Sequence, residues 1–166
     1  MSTRTLSGTT VDPESRAQLE AFIQTERPTA KNPTTWMLFD IGKKCQEDKD
    51  HCIKLKETGT DAEPFDKVVS KLVESSYGYA VMFFLPNEEE KALIETSKES
   101  VFLVFILWTD DNGPVKKKML YAASGQALKT LVSEKIKVCM QCNDKSDLVR
   151  SNIFEEVKRK NPHLFR

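Results

Sequence analysis

The sequence carries no excess charge of either sign. Its 25 lysines and arginines are matched by 25 aspartates and glutamates, so no global basic field directs it to nucleic acid. Electrostatic recognition must be local. Long apolar runs are missing as well: the longest, VFLVFILW from Val101 to Trp108, falls far short of the ~20 residues a membrane span needs. It has instead the character of a strand buried on both faces. The opening residues, MSTRTLSGTTVDPES, lack the apolar core of a signal peptide, which predicts a chain without a secretory leader. There is no glycine-rich phosphate loop, nucleophile elbow or histidine–carboxylate motif, so neither catalysis nor a cofactor is expected.

Cysteine is scarce and poorly spaced for chemistry. Cys45, Cys52, Cys139 and Cys142 are compatible with reduced thiols in the cytosol. Cys139 and Cys142 have a C-x-x-C spacing, but Cys45 and Cys52 supply an awkward second half for a zinc site, with His51 the only histidine near them. Cys139 also sits inside the alternation Ile136, Val138, Met140, which predicts a strand rather than the helix start a thioredoxin-type pair requires. A thiol redox or zinc protein using Cys139 and Cys142 is thus a remote alternative.

What is present suits one globular domain: 166 residues, 39% hydrophobic and 30% charged. Residues 1–10 are rich in Ser and Thr and predict a flexible extension before a domain over 11–166. Asp12-Pro13-Glu14-Ser15 has the cap, the proline and the acid of a helix start, and Pro28 ends that helix. Strands are predicted at Thr34–Ile41, His51–Glu57, Tyr77–Leu85, Val101–Trp108 and Ile136–Cys142. Helices are predicted around Phe65–Val73, from Pro114 onward, and over Asp147–Lys160. The stretch PNEEEKALIETSKES reads as a polar connection between two strands. The result is an α/β fold: a single-domain mixed sheet of about five strands flanked by helices.

One segment does not fit an ordinary amphipathic helix. PVKKKMLYAAS, Pro114 to Ser124, sets three lysines directly against a methionine and a tyrosine. It resembles the signature of the actin-depolymerising factor/cofilin family: a basic residue, any residue, a basic residue, then Met, an aliphatic residue, Tyr, Ala, a small residue and Ser. Lys116, Lys118, Met119, Leu120, Tyr121, Ala122 and Ser124 match in order. SGTTVDP, YGYAVMFF and VFLVFILWTDDNGPV are similar to further family segments, so the resemblance spans nearly the whole chain. It implies an ADF-homology, gelsolin-like fold and a non-enzymatic protein of the cytoplasm and cytoskeleton. Such a protein binds actin monomers and filament sides as a monomer, without nucleic acid or membrane insertion, and promotes depolymerisation and severing.

By the same resemblance, Met119 is an apolar anchor in a cleft of the actin monomer. Lys116 and Lys118 meet acidic groups around it, and Ser7, Gly8, Leu120 and Ser124 complete the monomer site. Tyr121 is expected to face the domain interior. Ser7 matches a regulatory phosphoserine, whose charge would repel an acidic partner. Lys116, Lys117, Lys118 and Lys129 are candidate contacts for a phosphoinositide head group. A second, filament-side surface maps to Lys98, Glu155 and Arg159, but Glu88–Glu90 and Glu156 put acids where family members carry bases. That departure leaves open a protein that sequesters monomers or coats filaments with little severing.

Overall fold

The computed structural model of the chain describes residues 9–42, 52–95 and 101–166. The continuous apolar runs form its centre. Strands β4 (Tyr77–Phe84) and β5 (Phe102–Thr109) are buried at every position, as strands covered on both faces must be. They pair antiparallel along their full length. With β1 (Thr10–Val11), β2 (Trp36–Gly42), β3 (Cys52–Gly59) and β6 (Val138–Cys142) they make a six-stranded sheet in the order β1-β3-β2-β4-β5-β6. The inner pairs are antiparallel, and the outermost pairs, β1–β3 and β5–β6, are parallel.

Side chains alternate across a strand, and the two faces of the sheet are covered by different helices. Ala80, Met82 and Phe84 of β4 join a core with α2 (Pro64–Glu74) and α5 (Arg150–Lys160). Tyr77, Tyr79, Val81 and Phe83 join a second core with α1 (Pro13–Ile23) and α4 (Val115–Val132). Helix α1 begins as its sequence predicts: the Asp12 carboxylate accepts the Ser15 backbone N–H at 3.1 Å and the Ser15 hydroxyl at 3.0 Å. Ser15 Oγ in turn accepts the Leu55 N–H at 2.9 Å, fastening the helix to β3. No helix among the described residues is long and apolar enough to cross a membrane.

Several elements differ from expectation. Among the described residues the sheet has six strands, one beyond the expected about five, because Thr10 and Val11 pair with Cys52 and Ile53. Thr9 and Thr10 are buried, so the packed domain begins within the stretch expected to be flexible. The last helix starts at Arg150 rather than near Asp147: Asp144 caps a short turn over Lys145–Asp147, and Asp147 reaches back to the N–H groups of Asn143 and Asp144. The polar connection after β4 contains a helical turn, α3 (Glu88–Lys91), closed by a capping box in which Asn87 and Glu90 bond each other's backbone N–H. Cys52 is not a free thiol but is disulfide-bonded.

Candidate functional site

The site is built on α4, and its geometry starts from how firmly the helix's inner side is held. The TDDNGP turn ends β5 where Gly113 passes the Tyr77 hydroxyl so closely that a Cβ there would lie 2.0 Å from it. That hydroxyl donates to the Pro114 carbonyl at 3.3 Å. Further along, Gly125 lets the helix approach β4, since a Cβ at that position would sit 3.3 Å from a Tyr79 ring carbon. A mid-helix glycine costs about 1 kcal/mol relative to alanine; close packing on the sheet is what it makes possible.

Tyr121 lies between two tyrosine rings, with centroids 5.2 Å from Tyr77 and 5.4 Å from Tyr79. Its hydroxyl oxygen accepts the Ile41 N–H at 3.1 Å, and its carbonyl accepts the Tyr79 hydroxyl at 2.5 Å. Burial raises the phenol pKa of both Tyr79 and Tyr121, which keeps both hydroxyls protonated. Tyr121 therefore faces the interior, and the helix is bonded to β2 and β4 together.

The inner face consists of Tyr121, Ser124, Gly125, Ala127, Leu128 and Val132. The apolar positions nearer the helix start point the other way. Val115 is 68% exposed and Met119 66%, and Ala122, Ala123 and Gln126 continue that outward face. Folding normally hides methionine and valine, so an uncovered pair one turn apart is the most informative feature of the surface. Leu120 is half-buried at its flank.

The three lysines differ in their engagement. Lys116 is exposed and forms no side-chain hydrogen bond or ion pair among the described residues. Lys117 Nζ lies 6.0 Å from the Tyr77 ring centroid. Lys118 Nζ pairs with Asp111 Oδ1 at 3.0 Å. Lys129 follows Lys116 by thirteen residues, about 20 Å along the axis at 1.5 Å per residue, so the four lysines do not converge on one head group.

Ser124 is not placed for direct contact with a partner. It is fully buried, and its hydroxyl donates to Thr9 Oγ1 at 3.0 Å. This bond explains why a polar threonine precedes the first strand: its hydroxyl satisfies a buried serine. It also fixes the chain beside α4 immediately after Ser7 and Gly8, which lie outside the described residues.

The candidate filament residues belong to the opposite face. Glu155 and Arg159 sit on α5 and are exposed, while Lys98 lies outside the described residues. Glu155 is 3.5 Å from Lys158, and Arg159 is held by Glu156 through two bonds of 3.0 and 2.8 Å. Of the acids after β4, Glu88 and Glu89 are exposed but Glu90 is turned inward. Arg150 reaches Glu90 at 2.5 Å and the Leu85 carbonyl at 2.6 Å, with its guanidinium 4.3 Å from the Phe84 ring centroid. Glu90 is thus a structural acid joining α3 to α5.

The C-x-x-C pair is divided by the sheet. Cys142 belongs to the core under α2 and α5, whereas Cys139 packs on the α1–α4 side, as residues three apart in a strand must. Burial pushes the Cys142 thiol up to about 12 and also raises Cys139, despite the Lys129 ammonium beside it. Neither is a poised nucleophile. No cluster of three potential metal ligands occurs among the described residues.

Sequence reasoning gave no site role to Val115 or Asp111 and missed the Thr9–Ser124 and Glu90–Arg150 contacts. Val115 was recoverable, since it precedes Met119 by one helical turn.

Comparison with known proteins gives a consistent grouping. The family model for cofilin/tropomyosin-type actin-binding proteins matches residues 8–158. Depactin of Asterias amurensis is 24% identical over 152 residues, covering 92% of this chain and 97% of that protein. Cofilin of Cryptococcus neoformans var. neoformans serotype D is 32% identical over 129 residues, covering 76% and 83% respectively. Among solved structures, Streptomyces griseoflavus cofilin superposes with a TM-score of 0.68 at 18% identity, covering 92% of this chain and 98% of that one. Coactosin from Entamoeba histolytica gives 0.67 at 19%, covering 95% and 99%. These two structural likenesses concern the fold.

Proposed function

The chain belongs to the cofilin/tropomyosin-type actin-binding proteins, and from that premise we propose that it binds actin monomers through the outward face of α4. The observation that supports this reading is the uncovered stripe of Val115 and Met119 with Lys116 beside it. A partner that buries the stripe gains apolar contact, and a flexible thioether adapts to an irregular pocket. The neighbouring ammonium groups steer approach to an acidic surface. Ser7 precedes Thr9 by two positions in the chain, and a phosphate on it would repel the same acidic partner. An anionic lipid head group would meet Lys116, Lys117 and Lys118 at the start of α4, without Lys129.

The wider activity follows as part of the proposal: binding to filament sides through the α5 face, promotion of depolymerisation, and action as a monomer in the cytoplasm at the cytoskeleton. No catalytic step is involved. A second reading, monomer sequestration or filament coating with little severing, is favoured by one feature. Arg159, a candidate filament contact, is already bonded to Glu156 within its own helix, which weakens the positive charge offered to a filament.

The test compares wild type with the Lys116→Ala/Lys118→Ala variant in monomer binding and filament co-sedimentation. Monomer affinity is expected to fall at least fivefold, with the loss growing as ionic strength is lowered. Equal affinity at every salt concentration refutes the assignment. Microscopy of labelled filaments then separates the readings, because breaks along filaments support severing and their absence across concentrations supports coating.

A further inference from the structure

Lys118 and Lys116 occupy the same short segment, yet only Lys118 is held. Its partner Asp111 is seven residues away, too distant for an ordinary pair along one helix, and belongs to the turn after β5. That turn is rigid. The Asp111 N–H donates to the Asn143 carbonyl at 2.9 Å, Gly113 N–H to the Asp110 carbonyl at 3.0 Å, and Asn112 N–H to Asp110 Oδ1 at 2.9 Å. Asn143 is itself fixed by the Thr109 hydroxyl at 2.8 Å. The carboxylate is thus presented to the helix from a fixed base. The Lys118 side chain is 27% exposed, against 59% for Asp111, so the lysine side chain as a whole is the more covered member of the pair.

We propose that Asp111 is an affinity-setting residue of the α4 surface: its carboxylate occupies the Lys118 ammonium in the free protein and competes with an acidic group of the partner for it. The proposal rests on the reading of α4 as the actin-binding face. It adds that this face is partly neutralised from within. An incoming carboxylate offers Lys118 the bond it already has, so the exchange gains little until Asp111 is displaced. Lys116 has no such competitor among the described residues and supplies the immediate attraction.

The test is a double-mutant cycle on monomer binding with wild type, Asp111→Asn, Lys118→Ala and the double variant, at low and near-physiological salt. Asparagine preserves the shape of the side chain and removes its charge. Asp111→Asn is expected to bind about two- to fivefold more tightly, the range set by the worth of an exposed ion pair. The gain should shrink with salt and vanish in the Lys118→Ala background, while Asp111→Glu should stay near wild type. A purely structural role for Asp111 would produce weaker binding, not tighter.

Neutral or weakened binding by Asp111→Asn, alongside a loss in Lys118→Ala, overturns the proposal and leaves the α4 reading standing. An equal gain with and without Lys118 overturns it as well, because the effect would then be general repulsion. No loss in Lys118→Ala removes Lys118 from the interface, and both the role of that lysine and the competition built on it fall together.

Discussion

Truncating Met119 to alanine separates an anchor from a core residue. Full burial of a methionine side chain is worth about 1.5–3 kcal/mol relative to exposure, and 66% of this residue is still exposed in the free protein. A partner that covers it recovers about two-thirds of that amount, or ~1–2 kcal/mol, which corresponds to a roughly 5- to 30-fold change in affinity. The folded state has little to lose: exposed substitutions outside special contacts stay within about 0.5 kcal/mol. Met119→Ala should therefore weaken monomer binding by that factor while leaving the melting temperature within about 2 °C of wild type. Leu128→Ala, on the fully buried face of the same helix, should do the reverse, costing about 2–5 kcal/mol of stability. The assay pairs titration of labelled actin monomers with thermal denaturation. Wild-type affinity in Met119→Ala, or a stability loss approaching that of Leu128→Ala, would falsify the outward-anchor reasoning.

Removing the guanidinium in Arg150→Ala leaves the largely buried Glu90 without its ion-pair partner and frees the Leu85 carbonyl. The pair is partly solvated on the arginine side, so a cost of about 2–3 kcal/mol is expected, below that of a fully buried pair. For a domain this size that is roughly 5–10 °C in melting temperature, with α4-mediated monomer binding unchanged; a shift under 1 °C would mean that Glu90 finds water instead. For the thiols, a Cys142 pKa of about 12 against an ordinary 9.0 means roughly a thousandfold less thiolate near neutral pH than a free cysteine carries. Alkylation followed by mass spectrometry should find Cys142 nearly inert in the native protein and reactive after denaturation, and rapid native labelling at pH 7 would contradict its burial. The folded state favours the protonated thiol, so its contribution to stability is full below pH 9 and is lost as pH rises toward 12. Burial of Tyr79 and Tyr121 acts in the same direction at higher pH.

The parts of the fold governed by local pattern were legible in the sequence. Two apolar runs became β4 and β5, and Asp12-Pro13 capped α1, because continuous hydrophobicity and capping chemistry are properties of neighbouring residues. Strand β1 was not legible: Thr10-Val11 has no periodicity, and its partners are Cys52 and Ile53. The inward turn of Ser124 was hidden for the same reason. A small hydroxyl residue suits either side of a helix, and the choice is made by Thr9, 115 positions away. The three glutamates of NEEE look alike by composition, but Asn87 followed three residues later by Glu90 is the spacing of a capping box. That spacing could have shown Glu90 turning back. On α4, Val115, Met119, Ala122 or Ala123, and Ala127 recur at helical spacing, yet of these only Ala127 is buried. The motif resemblance indicated an outward Met119 where hydrophobicity alone indicated an inward one.

Uncovered apolar groups are useful for binding only if the backbone beneath them stays put. A helix free to rock would lose orientational freedom on every encounter, and that loss would subtract from the small gain expected from covering Met119. Here the hydrogen bonds from Tyr79 to the Tyr121 carbonyl and from Ile41 to the Tyr121 hydroxyl hold α4 against two strands, within two residues of the exposed methionine. Ser124 adds a third attachment, to the chain that leads into β1. The tyrosines so placed make the outward face pre-organised. Their substitution would reach binding through the position of Met119 rather than through any contact of their own.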